Sequence, residues 1–194
     1  MKQGVNKITI VPYRDSWPAE FQQIAQVLRQ GLGDHALRID HIGSTAVPGL
    51  PAKDIIDIQI TVNALSDQVV SAMKALGYSQ PEGIRRDHRP PDASGPQSDW
   101  EKLSFNPPPG QHRTNIHVRV QGRPNQRYSL LFRDYLRAHP ATAAAYAELK
   151  RRLAEGLADP GTYPEVKDPA VDLIYFAAED WAMATGWQPG PADV

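Results

Sequence analysis

A chain of 194 residues, 41% hydrophobic and 22% charged, carries enough apolar material for one domain with a sizeable core. It has no cysteine, which excludes disulfides, thiolate metal sites and cysteine nucleophiles. The formal net charge of −1 argues against a general nucleic-acid binder. No apolar run approaches the roughly 18 residues of a membrane span, and MKQGVNKITIVPYRD lacks a signal-peptide core, so a cytoplasmic protein with no membrane partner is expected.

In chain order, Lys7 to Val11 reads as a short strand, and Ser16 offers an N-cap to a helix with Pro18 and Glu20 in its first turn, running to about Gln30. Trp17, Phe21, Ile24, Ala25 and Leu28 recur at helical spacing, so this helix should pack on a sheet. Ala36 to Ile42 and Asp54 to Val62 are strands. The link between them holds Pro48, Gly49 and Pro51 and is too short for a parallel crossover, so antiparallel pairing is expected. Leu65 to Leu76 is a helix closed by Gly77. Residues 82–111 are rich in Pro, Asp, Arg and Gly; they read either as a substrate-contacting rim or as a surface insertion, with a strand at Trp100 to Phe105. After the strand Thr114 to Val120, helices are expected over Asn125–Ala138, Ala141–Leu157 and Val166–Thr185, broken at His139-Pro140 and Asp159-Pro160-Gly161. Tyr146, Leu149 and Leu153 form one apolar stripe, and Val171, Ile174, Tyr175, Ala178, Trp181 and Ala182 another.

Charge is segregated. Residues 113–152 hold nine Lys or Arg against Asp134 and Glu148, whereas the tail from Glu155 has eight acids and only Lys167 as a base. Either the basic and acidic helices lie against each other, or part of the basic set faces a polyanionic ligand. The most informative stretch is HIGSTAVPGLPAKDIIDIQITV, residues 41–62. Gly43-Ser44 is a turn able to bring backbone N–H groups and a hydroxyl to a phosphate. Alternation along the following strand sets Asp57, Gln59 and Thr61 on one face against Ile56, Ile58, Ile60 and Val62 on the other. Asp57 would bind a divalent cation or accept from the turn. Lys53 and Arg119 are candidate phosphate partners. His117 projects with Asn115 and Arg119, away from Ile116 and Val118.

These motifs, together with Val11-Pro12-Tyr13, Asn115-Ile116-His117-Val118, LLFRDYLRAHP at 130–140, Tyr163 and Lys167, resemble the GrpB family of the DNA polymerase β-like nucleotidyltransferase superfamily. The resemblance implies a single α+β domain over 1–194. A mixed sheet of about five strands, with helices on one side, would occupy residues 1–122 and a helical region 123–194. It also implies that Asp57 and His117 converge as a catalytic pair, with Asp57, His117 and His41 as candidate metal ligands for Mg²⁺ or for a histidine-compatible ion such as Zn²⁺. Gly43, Ser44, Thr45, Lys53, Arg119 and Arg133 would bind the ligand. Arg133 either reaches substrate or fixes its helix, and Arg137 is expected to do the latter. Gln59 and His117 stand where the superfamily carries its second and third acids, so Mg²⁺ binding should be weak and Gln59→Glu should strengthen it. The implied ligand is a nucleotide or phosphorylated small molecule. Three classes stay open: a divergent nucleotidyltransferase, a non-transferase enzyme using His117 with Asp57, and a catalytically silent binding module.

Overall fold

The computed structural model describes residues 7–83 and 85–194. The first helix, α1 (Trp17–Leu32), buries Trp17, Phe21, Ile24, Ala25, Leu28 and Leu32 along one face. Ser16 holds its N-cap position with helical backbone angles, so its hydroxyl caps nothing, while the Trp17 indole donates to Asp54 Oδ1 at 2.8 Å. β1 (Arg38–Ile42) pairs antiparallel with β2 (Ile56–Val62), as expected of a link whose Pro48, Gly49 and Pro51 leave no room for a crossover helix. Helix α2 (Asp67–Ala75) begins at Ser66, whose Oγ accepts from Val69 N–H at 3.4 Å. It ends where Gly77, at φ +85°, lets Gly77 N–H donate to Lys74 O at 2.9 Å and Tyr78 N–H to Met73 O at 3.1 Å. β3 (Leu103–Phe105) and β4 (Thr114–Val120) complete the sheet in the order β1-β2-β4-β3, with β2 and β4 parallel and β3 antiparallel to β4.

Among the described residues the sheet has four strands, not the five expected. Lys7–Val11 contributes only a bridge between Val11 and Ala52, because Pro12 and Pro51 beside it have no N–H with which to extend a ladder. The strand expected from Trp100 starts at Leu103, since residues 97–100 close into a 3₁₀ turn. The C-terminal helices α3 (Pro124–Ala138), α4 (Pro140–Gly156) and α5 (Tyr163–Thr185) match expectation, with α5 starting three residues early. No helix among the described residues is long and apolar enough to cross a membrane.

Register divides the sheet into two chemically different faces. Ile39, Ile56, Ile58, Ile60, Ile116, Val118 and Phe105 pack under α1 and α2 in the main core. Residues of the opposite face, Asp40, Gln59, Thr61, Ser104 and Arg119, are polar and yet buried, and the C-terminal helices cover them. A second core of Val47, Leu50, Phe132, Leu136, Tyr146 and Val171 joins those helices to the loop after β1. At the free edge of β1, Val194 exchanges backbone hydrogen bonds with Ile39, each 3.1 Å, and Asp193 Oδ2 accepts from His41 N–H at 2.9 Å.

Candidate functional site

Between β1 and β2 the chain turns at Gly43, with φ +70°, into a short 3₁₀ turn over Ser44–Ala46. A Cβ at Gly43 would lie 2.5 Å from Asp57 Oδ2, so the turn rests directly on that carboxylate and only glycine fits. Arg137 Nε and Nη2 donate to Ala46 O at 3.0 and 2.8 Å, tying the turn to α3. A cavity of about 230 Å³ opens between this turn, the start of β2, and helices α4 and α5. Its lining includes Gly43, Ser44, Lys53, Asp57, Asn115, Tyr146, Lys150, Tyr163 and Lys167.

Three ammonium groups therefore meet one carboxylate. Lys150 is 3% exposed, and its Nζ donates to Ser44 Oγ at 2.9 Å and to Pro51 O at 2.6 Å, lying 4.7 Å from the Tyr146 ring centroid. Burial, reinforced by Lys167 and Lys53, lowers its pKa from 10.5 to about 7. Burial also lowers Lys53, which lies 5.2 Å above the Tyr163 ring, and Lys167, which sits 3.8 Å from Asp168. Burial opposes the charge of Asp57, but His117, Asn115 and Lys53 outweigh it and keep the carboxyl below its ordinary range. Asn115 Nδ2 donates to Asp57 Oδ1 at 2.8 Å, and His117 Nε2 stands 4.0 Å from the same oxygen.

Beside the cavity lies a closed network. Asp87 accepts from Arg119 Nε at 2.7 Å, from Lys102 Nζ at 2.6 Å and from Asn125 Nδ2 at 3.0 Å. Arg119 Nη1 donates to Gln59 Oε1 at 2.6 Å, and Gln59 Nε2 to Gln126 O at 3.1 Å. The two cations hold Asp87 far below the usual carboxylate range against the effect of burial. Lys102 Nζ also lies 3.1 Å from His117 Nδ1. A lysine paired with Asp87 is an ammonium donor, so Nδ1 accepts and the ring proton sits on Nε2, toward Asp57. Burial and Lys102 lower the His117 pKa to about 4, keeping the ring neutral at neutral pH.

The structure brings Gly43, Ser44, Lys53 and Asp57 into the lining of one cavity; His117 shares a sheet face with Asp57 and stands 4.0 Å from it, but is not among the residues that line the cavity. Other expected residues lie elsewhere. His41 projects from the opposite face: it stacks on Phe21 at 4.8 Å, and its Nε2 is 3.0 Å from Thr45 Oγ1, because neighbours along a strand alternate and Ile42, not His41, shares a face with Asp57. Burial lowers its pKa to about 4. Thr45 lines the cavity but donates its hydroxyl to Ile55 O at 3.2 Å. Arg119 is consumed by Asp87 and Gln59. Arg133, 3% exposed, donates to His41 O at 3.0 Å, Asp193 Oδ2 at 3.1 Å and Asp134 Oδ1 at 2.8 Å, which makes it a fastener between α3 and the β1 edge.

Lys150, Asp87 and Lys102 escaped the sequence reading. Lys150 had a signal, since it follows Tyr146 by four residues and so falls on the buried stripe of its helix, where an unpaired lysine is out of place. Asp87 and Lys102 come from the Pro- and Gly-rich segment, and nothing local marks them. The segregated basic and acidic stretches do meet, at Arg127 with Glu179 and Arg133 with Asp193, while Lys150 is left to the cavity. The segment that holds His88 docks on α5, His88 Nε2 lying 3.0 Å from Asp172 Oδ1.

Comparison with known proteins places this geometry. A crystal structure of the conserved protein GrpB from Enterococcus faecalis superposes with a TM-score of 0.71 at 28% identity, covering 89% of this chain and 99% of that one. The Cid1 poly(U) polymerase shares the fold, with a TM-score of 0.50 at 13% identity over 75% of this chain and 44% of its own. Among curated proteins, a dephospho-CoA kinase of Mycolicibacterium paratuberculosis is 42% identical over 94% of this chain, and the UPF0157 protein YqkA of Bacillus subtilis 34% identical over 90%. The chain spans about half the length of these two relatives, 48% of each. The family model described as GrpB protein matches residues 7–176. Fold, motif order and this match agree: the chain is an α+β protein of the GrpB family, with nucleotidyltransferase-like structural neighbours.

Proposed function

We propose that this protein binds a phosphorylated small molecule, nucleotides included, with the anionic group seated in the lysine cavity beside Gly43-Ser44. One observation carries the reading. Lys150 is almost fully buried, and among the described residues no carboxylate pairs with it. A buried ammonium without a counter-ion is costly, and an anionic ligand removes that cost. Lys53 and Lys167 supply further positive charge, Ser44 a hydroxyl, and Tyr146 and Tyr163 the walls. The name of the mycobacterial relatives denotes phosphate transfer, which accords with a phosphate-bearing ligand. Nucleotidyl transfer through two metal ions calls for two or three convergent carboxylates. Among the described residues only Asp57 offers one in this cavity, so ligand binding is the function supported best.

The test is thermal denaturation with inorganic phosphate, pyrophosphate, AMP and ATP. A ligand at 100 times its dissociation constant adds about 2.7 kcal/mol, a rise of roughly 5 to 10 °C for a chain of this size. Lys150→Ala should abolish the rise. A full rise in that variant places the anion elsewhere.

A further inference from the structure

The superfamily resemblance implies divalent metal at Asp57 and His117, and the donor set in the cavity does not suit it. Among the described residues no group of three or more His, Cys, Asp or Glu is arranged to hold an ion. Asp57 is the one carboxylate among the described residues lining the cavity, and its Oδ1 already accepts from Asn115. The His117 nitrogen nearest Asp57 carries the ring proton, since the other accepts from Lys102, and a protonated nitrogen is no ligand. Gln59, in the position of the second acid, is buried and fully engaged by Arg119 and Gln126. His41 lies behind the sheet. The charged groups facing the cavity are Lys53, Lys150 and Lys167 against Asp57. That excess of positive charge repels Mg²⁺ and attracts what Mg²⁺ would otherwise escort.

We infer that the three lysines take the place of the metal ions, and that the ligand enters as a metal-free dianion, the terminal phosphate of a phosphomonoester or pyrophosphate. This rests on the phosphate-binding reading above and narrows it to a substrate class. Lys53 and Lys150 have no carboxylate of their own among the described residues, whereas Lys167 lies 3.8 Å from Asp168; a bound dianion supplies the counter-charge the first two lack and favours the ammonium form of Lys150. The cavity, about 230 Å³, is smaller than the roughly 300–1,000 Å³ of pockets that enclose whole ligands. It accepts a phosphoryl head group and leaves the remainder of the ligand outside. Asp57 then acts against anion binding, which reverses the sign of its role in a metal centre.

That reversal gives the test. Inorganic phosphate and pyrophosphate are titrated calorimetrically into the unmutated protein and into Asp57→Asn, each in EDTA and in excess MgCl₂. The inference expects both anions to bind in EDTA, MgCl₂ to weaken pyrophosphate binding by sequestering its charge, and Asp57→Asn to tighten phosphate binding threefold or more. A tenfold gain in pyrophosphate affinity with MgCl₂, or loss of binding in Asp57→Asn with its thermal melt intact, overturns the inference while leaving the phosphate site standing. Absence of binding by either anion in both conditions sinks the phosphate-binding reading itself. Should Asp57→Asn fail to fold, the MgCl₂ comparison on the unmutated protein decides.

Discussion

Two groups of buried charge stand side by side on the polar face of the sheet and are treated in opposite ways. Around Asp87, Arg119 and Lys102 share one acid, each within 2.8 Å of it, and Gln59 and Asn125 add hydrogen bonds to Arg119 and Asp87. Around Lys150, three lysines line a cavity in which Asp57 is the one carboxylate among the described lining residues; Lys167 lies 3.8 Å from Asp168 outside it, and Lys150 has no acid within ion-pair distance. Burial of charge is common to both and so distinguishes neither. What separates them is direct pairing: at Asp87 both cations touch an acid, whereas Lys150 touches only neutral oxygens, those of Ser44 and Pro51.

The largest effect should come from breaking the satisfied side. Asp87→Ala leaves Arg119 and Lys102, 5% and 7% exposed, without a counter-charge, and removal of one partner from a buried pair costs about 3–5 kcal/mol. A fall of about 10 °C in thermal midpoint is expected; a shift of one or two degrees would mean that water already screens the network. Next comes the hinge between the two regions. Gly43→Ala forces a Cβ to 2.5 Å from Asp57 Oδ2 at φ +70°, and strain of that kind costs about 2 kcal/mol. Chemical denaturation should show the loss, and an unchanged midpoint would show that the turn can rearrange.

On the unsatisfied side the outcome should invert. Lys150→Met is expected to keep or raise stability while lowering phosphate affinity at least tenfold, because it removes a buried charge that lacks a partner. Loss of stability in that variant would mark Lys150 as a structural donor to Pro51 and Ser44. A smaller effect follows from titration. Lys150 has a folded pKa of about 7 against 10.5 unfolded, so between those values the fold binds fewer protons than the unfolded chain. Ligand-free stability should therefore rise as pH climbs from 7 toward 10, a slope that Lys150→Met reduces, since the lowered Lys53 and Lys167 contribute in the same direction. Sulfate, dianionic throughout, should bind more weakly at pH 9 than at pH 6, since anion binding favours the ammonium form. The smallest effect expected is that of Gln59→Glu on Mg²⁺ binding, namely none measurable by calorimetry. The new carboxylate would pair with Arg119 Nη1, which already contacts Gln59 at 2.6 Å, and that pairing replaces the gain anticipated from sequence.

Much of the fold was legible because its signals are local. Alternation in residues 56–62 set the two faces of β2, prolines bounded the last three helices, and Pro48, Gly49 and Pro51 kept a crossover helix out of the link between β1 and β2, which pair antiparallel. The fifth strand failed because a single strand-like run says nothing of whether a partner's N–H groups are available, and here prolines remove them. Gly43, Ser44 and Asp57 were legible since a turn and a polar position in an apolar strand mark themselves. His41 was misjudged as a companion of Asp57 by position in the motif, although strand parity places it behind the sheet.

By itself the sequence determined the family, the α+β class, the two-faced central strand and the glycine turn after β1; that the turn closes on Asp57 came from the structure. Each depends on neighbours within a few residues, where backbone geometry and side-chain alternation act directly. Only the tertiary structure decided which charges are spent. Asp87 finds Arg119 across 32 positions, and Lys150 finds Ser44 across 106. Whether a buried charge is neutralised depends on what the whole chain brings within a few ångströms of it, and no local pattern encodes that distance.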